Sequence, residues 1–280
     1  MSSHSLLSPP LRKGEYVPSK PSDLRSPCPL INCLANHGYI ARDGRNVHSK
    51  ELLAAMNEIG LSSGLGAVFA KPIFLEHKPP KTVDEDQVKE KAQQSESFLG
   101  HIWYLVRNPW AVLFSSFGMR QPGQLDSMGK IYLDLNQLGQ NGIVEHDISL
   151  TRDDIAQGDN ITPQPDLVED LLQSSSDGRK TLSMQDFASL RRRRIERQRE
   201  ENPAANYGSS QHQIACTEIA LVLDVFGNGT SIPWNYAHAF FKEERLPVRE
   251  GWKKRRWWSL GFIELGKTAG KVKKLVGITF

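Results

Sequence analysis

Three short stretches of the chain carry residues that could do chemistry. The first is Pro27-Cys28-Pro29, which opens SPCPLINCLANHG. Pro27 restricts Ser26 and fixes the approach of the chain, and Pro29 suits the first position of a helix. Cys28 then sits at or just before that helix's N-cap. Free N–H groups and the positive end of the helix lie near its sulfur, and both lower a thiol pKa. Such a cysteine is a fixed thiolate ligand or a nucleophile; a Pro-Cys-Pro that falls in a loop by chance is the alternative.

The second stretch is Glu145-His146-Asp147-Ile148-Ser149, just past Gly142. A carboxylate, a hydroxyl and nearby backbone carbonyls are hard oxygen ligands that suit Mg²⁺ or Mn²⁺. The same residues would serve as a helix cap, with Asp147 or Ser149 at the N-terminus of the next helix. The third is Glu218, alone among apolar residues in IACTEIALVL. Left charged and unpaired in a core it is costly, and burial raises its pKa toward neutrality, as a general acid–base requires. A glutamate paired with a structural arginine is the other reading.

These residues need a scaffold, and 280 residues allow one large domain or two small ones. A net charge of +3 is too small to argue for nucleic acid. Three cysteines, Cys28, Cys33 and Cys216, with no C-x-x-C, exclude a disulfide scaffold and a structural zinc site. Cys33 and Cys216 read as core thiols. Residues 1–27 read as an extended arm. Apolar spacing predicts helices over 28–38, 49–59, 183–201 and 212–226, and no strand-like alternation is sustained. The fold class is therefore mostly α. The Arg191–Arg194 run reads as a solvated helix face paired with Glu196, Glu200 and Glu201.

Residues 77–96 are polar and suit a surface loop or a solvated helix. Residues 97–117 are the most apolar part, broken by Arg107-Asn108-Pro109. They suit a buried helical hairpin or an anchor on a membrane surface. The end of the chain mixes Lys and Arg with Trp252, Trp257 and Trp258, which suits a membrane surface or a packed tail. The N-terminus shows no secretory h-region. The expectation is an intracellular protein, free or membrane-associated, or a secreted one whose leader has been removed.

Taken together the stretches resemble the fungal haem-thiolate peroxidases, the family of chloroperoxidase and the unspecific (aromatic) peroxygenases. The residues that carry the resemblance are Pro27-Cys28-Pro29 with LINCLANHGYIARDGRN, NGIVEHDISLTRDD at 141–154, and Glu218. The Arg-rich helix ending at Asn202-Pro203 and FFKEERLPVREGW at 240–252 support it. The resemblance covers roughly residues 12–255 and implies a single all-helical haem-thiolate peroxidase-like domain there. An extended arm (1–11) and a basic, aromatic tail (256–280) would flank it.

The resemblance implies haem b, with Cys28 as the proximal thiolate ligand of its iron. Glu218 would be the distal acid–base toward hydrogen peroxide. His146 would orient Glu218, and Asp147 would hold the His146 ring and set its tautomer. The short members of the family carry histidine at this position and the long members glycine, so His146 places the chain with the short group. Glu145, the His146 carbonyl and Ser149 would bind one Mg²⁺ or Mn²⁺ near a haem propionate. Asn32, Asn36 and His37 match the family helix, and His37 reads as a packing residue. The implied activity is oxygenation of an apolar or aromatic small molecule by peroxide, with accompanying peroxidase activity. A haloperoxidase, or a non-catalytic membrane-peripheral haem protein, is the alternative.

Overall fold

The computed structural model describes residues 11–77, 118–140 and 144–280. The apolar 97–117 stretch, and all but the first residue of the polar 77–96 stretch, lie outside the described residues.

Among the described residues are eight α-helices and one two-stranded sheet, in keeping with a mostly α fold. The helices are α1 (Pro29–Asn36), α2 (Ser49–Glu58), α3 (Ser63–Ala70), α4 (Pro165–Gln173), α5 (Met184–Glu201), α6 (Ser209–Phe226), α7 (Trp234–Phe241) and α8 (Phe262–Val276). Strands β1 (Thr181–Ser183) and β2 (Ser231–Pro233) pair antiparallel, with Leu182 opposite Ile232. The four helices expected from apolar spacing all form. α3, α4, α7 and α8 were not expected, because eight- and nine-residue helices carry too few turns to show a period and α8 is broken up by glycines.

Local sequence explains the boundaries. Pro29 opens α1 behind the Cys28 N-cap. Ser183 and Asp186 form a reciprocal capping box at the start of α5. At Gly44 the backbone has φ +71°, and a Cβ there would lie 2.1 Å from the Leu24 carbonyl oxygen, so only glycine fits. That turn lets the arm, residues 11–27, pack on the end of α1 and on the loop after it, through Val17 N–H to Asn36 O and Leu24 N–H to Asp43 O.

α6 runs through the core, and α8 packs along it and across α5. α8 buries Leu265, Ala269, Val272 and Val276, so this part of the C-terminal stretch is a packed element. Asp224 on α6 accepts a hydrogen bond from Thr268 on α8 at 3.0 Å. Trp257 and Trp258, just before α8, and Ile263 in its first turn behave differently, for all three are exposed.

The arginine run on α5 is a solvated face only at Arg192 and Arg193. Arg191 and Arg194 are buried, because the i, i+3 spacing turns them both toward the core. Arg191 donates to the Ile148 carbonyl, and Arg194 donates to the Ser149 carbonyl at 3.2 Å. Of the expected acidic partners, Glu201 pairs with Arg197 at 2.8 Å, while Arg193 lies against Asp170 on α4.

Candidate active site

Cys28, Glu145, His146, Ser149 and Glu218 all line one cavity of about 320 Å³. Its remaining wall is largely apolar, with Phe69, Phe187, Phe226, Phe240 and Phe241 among its residues. The cavity thus brings together the thiol of α1, the carboxylate of α6 and the Glu145–Ser149 loop.

Cys28 is held from beneath. Asn32, one turn on, accepts hydrogen bonds from the Ser26 N–H at 2.9 Å and its hydroxyl at 3.1 Å, and returns one to the Ser26 carbonyl at 2.8 Å. The Ser26 hydroxyl also reaches the Cys28 carbonyl at 3.2 Å. Asn32 in turn donates to Glu244 at 2.8 Å, and Glu244 pairs with the fully buried Arg152 at 2.6 Å. Sequence reasoning missed Arg152 and Glu244; the FFKEERLP motif pointed to the segment but not to its partner. Asn36 also enters this layer, donating to the Glu244 carbonyl at 3.0 Å. His37 is a packing residue, bound to the Gly14 carbonyl at 2.8 Å and the Leu246 N–H at 3.1 Å.

The expected lowering of the Cys28 pKa does not hold for the protein alone. Burial pushes the thiol up to about 11, while hydrogen bonds from the Ile31 and Leu30 N–H groups pull the other way. The helix start is therefore present and aimed at the sulfur, but desolvation is larger. A bound cation is what turns such a thiol into a thiolate. Cys33 and Cys216 are fully buried, as core thiols are.

Glu218 also departs from expectation, in the opposite direction. Burial pushes its pKa up, but the hydrogen bond and charge of His146, then Arg191 and Arg152, outweigh that and hold the carboxyl below its usual value. Its side chain is 62% accessible because it projects into the cavity, whereas His146 is buried behind it. The two side chains lie 3.5 Å apart, His146 Nε2 to Glu218 Oε2.

His146 is fixed by its other nitrogen. Nδ1 donates to the Asp147 backbone carbonyl at 2.9 Å, which fixes the ring and turns Nε2 toward Glu218. The expected role of Asp147 is thus carried by its backbone. Its carboxylate accepts from the Asn206 N–H at 2.7 Å and the Ile155 N–H at 3.3 Å, which ties down the loop. The next residue, Ile148, has φ +62°, a left-handed conformation that a β-branched side chain resists. It is held there by Asp154, which accepts from its N–H at 2.6 Å, and by Arg191 on its carbonyl.

Glu145 is half-buried, and its pKa is pushed up to about 9, first by burial and then by the nearby Glu218, Asp147 and Asp154 carboxylates. Ser149 lines the cavity beside it. No cluster of three or more His, Cys, Asp or Glu side chains placed to hold a metal ion occurs among the described residues.

A large planar apolar cofactor suits this donor set. The walls are phenyl and aliphatic groups, a soft sulfur ligand opens onto the space, and Arg191 Nε is buried without a hydrogen-bond partner.

Comparison with known proteins agrees. A family model described as "Peroxidase, family 2" matches residues 14–257. An aromatic peroxygenase of Coprinellus radians is 25% identical over 239 residues, covering 83% of this chain and 80% of that protein. An aromatic peroxidase of Fusarium equiseti is 26% identical over 201 residues, which are 70% of this chain and 40% of that protein. A chloroperoxidase of Leptoxyphium fumago is 48% identical over a stretch of 52 residues, 18% of this chain and 14% of that protein. The chain belongs to the family 2 peroxidases: it is a haem-dependent oxidoreductase that acts on peroxide.

Proposed function

We propose that the protein is a haem-thiolate peroxygenase that oxygenates apolar or aromatic small molecules with hydrogen peroxide. The observation that carries this reading is that Cys28 and Glu218 open onto one apolar cavity, with His146 behind Glu218. Cys28 would hold the haem iron through Sγ. When bound, the haem supplies the redox chemistry by which oxygen passes from peroxide to substrate. Glu218, held as a carboxylate, takes a proton from one peroxide oxygen at Oε2 and returns it to the other. His146 keeps that carboxylate oriented and charged. The Phe-rich walls exclude water and select an apolar substrate. The names of the two longer relatives, an aromatic peroxygenase and an aromatic peroxidase, support this choice.

The proposal includes one Mg²⁺ or Mn²⁺ held by Glu145, the His146 carbonyl and Ser149. What supports it is a carboxyl pushed up first by burial and then by three neighbouring carboxylates, an excess of negative charge that a cation relieves. It also includes contact with a membrane surface. The part of that reading that rests on 97–117 lies outside the described residues. The remaining support is Trp257, 80% exposed, and Ile263, 76% exposed, beside Lys253, Lys254, Arg255 and Arg256. Among the described residues no helix is long and apolar enough to cross a membrane.

The test is an absorption spectrum of the purified, haem-reconstituted protein, reduced and exposed to carbon monoxide. A Soret band at the long-wavelength position of thiolate-ligated haem, lost in Cys28→Ala, is expected. Glu218→Gln should keep that band and lose peroxide turnover. A protein with no such band is not a haem-thiolate enzyme. Chlorination of monochlorodimedone without oxygenation of an aromatic compound would favour a haloperoxidase instead.

A further inference from the structure

Behind His146, on the side away from the cavity, lies a second group of side chains that the proposed reaction leaves unused. The Tyr207 ring meets the His146 ring edge to face, with centroids 5.7 Å apart. The Tyr207 hydroxyl is 3.1 Å from Nδ1 of the buried His212. Nε2 of the same imidazole lies 3.7 Å from Cys216 Sγ. On the outer side the Tyr207 ring packs against Phe280 at 5.4 Å, and Phe280 is 46% exposed. An unbroken series of aromatic contacts therefore joins the cavity's histidine to the protein surface.

We propose that Tyr207 is a one-electron relay, through which donors too large for the cavity are oxidised at the surface beside Phe280. The inference rests on the haem-peroxidase reading, since peroxide is the source of the oxidising equivalents. Tyr207 gives one electron to the peroxide-oxidised cofactor, and its hydroxyl proton moves to His212 Nδ1. A phenolic donor at the surface then returns one electron to the Tyr207 oxygen, which takes its proton back from His212. The donor loses its own proton to water. Two such rounds consume one hydrogen peroxide, give two donor phenoxyl radicals and release two waters.

The surroundings favour this division of labour. Burial holds the Tyr207 hydroxyl up to about 12, so the resting residue is a neutral phenol with a proton to give. Burial, with Arg191 and Lys273, holds His212 down to about 4, so its ring is neutral and free to accept. We assign the Tyr207 O–H as donor to Nδ1, which leaves Nε2–H facing Cys216. A phenol that has lost an electron is a strong acid, so even this weak base takes its proton. The Arg191 guanidinium, 5.0 Å over the Tyr207 ring, resists build-up of positive charge there and so ties electron loss to proton loss.

The test uses the haem-loaded protein, mixed with hydrogen peroxide and frozen within milliseconds for electron paramagnetic resonance. A tyrosyl radical is expected in the wild type and absent in Tyr207→Phe, with a spin-trap adduct mapped by mass spectrometry to Tyr207. His212→Asn keeps the phenol but removes the base, and should cut the radical yield severalfold. Oxidation of a phenol coupled to a polymer should fall about tenfold or more in Tyr207→Phe, while oxygenation of a small aromatic changes less than about twofold. A protein that shows the thiolate Soret band but gives the same radical and polymer oxidation in Tyr207→Phe overturns the relay alone. A protein without that band overturns the relay and the peroxygenase reading together.

Discussion

His146 Nε2 stands 3.5 Å from Glu218 Oε2, and the backbone carbonyl of Asp147 fixes the ring from its other side at 2.9 Å. A side chain from a loop thus sets the charge and direction of a carboxylate on α6, 72 positions later in the chain. The relationship decides the sign of the Glu218 shift, because burial alone would push that carboxyl up.

Removing this partner should hurt the peroxide step and spare the cofactor. His146→Ala is expected to lower kcat/KM for hydrogen peroxide by about 10²-fold, the usual scale for disturbing a positioned acid–base. The thiolate Soret band should stay where it is, since Cys28 is held by Asn32 and not by His146. Stopped-flow kinetics beside an absorption spectrum separate the two effects.

The ion pair under Cys28 should matter to folding. Arg152 is fully buried and pairs with Glu244 at 2.6 Å. Glu244→Gln leaves that guanidinium buried without its counter-charge, and the expected loss is about 3 kcal/mol. Urea unfolding of the cofactor-free protein checks it. A change below about 0.5 kcal/mol would mean that water or another carboxylate has taken over the pairing.

Asp224 gives a pH signature. Its pKa is raised to about 6 by burial, although Thr268 donates to it. A carboxyl raised on folding favours the folded state only while it is protonated, so its contribution is present below the ordinary carboxylate pKa and is lost as pH rises through about 6. Asp224→Asn should therefore be more stable than the wild type near neutral pH, by on the order of 1–2 kcal/mol after allowance for screening, and should melt at a higher temperature. The two proteins should converge at about pH 4 and below. Melting curves across that range decide it.

The exposed aromatic and basic surface should bind anionic lipid. Vesicles containing phosphatidylserine are expected to sediment the wild-type protein at low salt, and neutral phosphatidylcholine vesicles much less. Trp257→Ala with Trp258→Ala should weaken binding at every salt concentration, because the apolar contribution is not screened. Equal recovery of wild type and variant with the anionic vesicles would remove the membrane contact from the proposal.

Much of the site was legible because its chemistry is local. Prolines on both sides of Cys28, a carboxylate alone among apolar residues at 218, and an acid, a histidine and a hydroxyl within five positions at 145–149 are visible in the one-dimensional sequence. The same holds for the helices long enough to show a period and for the mostly α class. The partners were not legible. Arg152 meets Glu244 across 92 positions, Arg191 meets Ile148 across 43, and Asn206 meets Asp147 across 59. No spacing rule links residues so far apart, so the arginine run read as a solvated face although two of its members are buried supports of the loop.

The sequence by itself determined which groups stand at the site, since residue type and immediate neighbours are a local property. Only the tertiary structure decided their charge state. Cys28 is raised because the fold buries it more strongly than its helix start stabilises it, and Glu218 is lowered because the fold sets three cationic or hydrogen-bonding groups around it. A pKa is the balance of desolvation against every nearby charge, and that balance exists only once distant segments have been brought together.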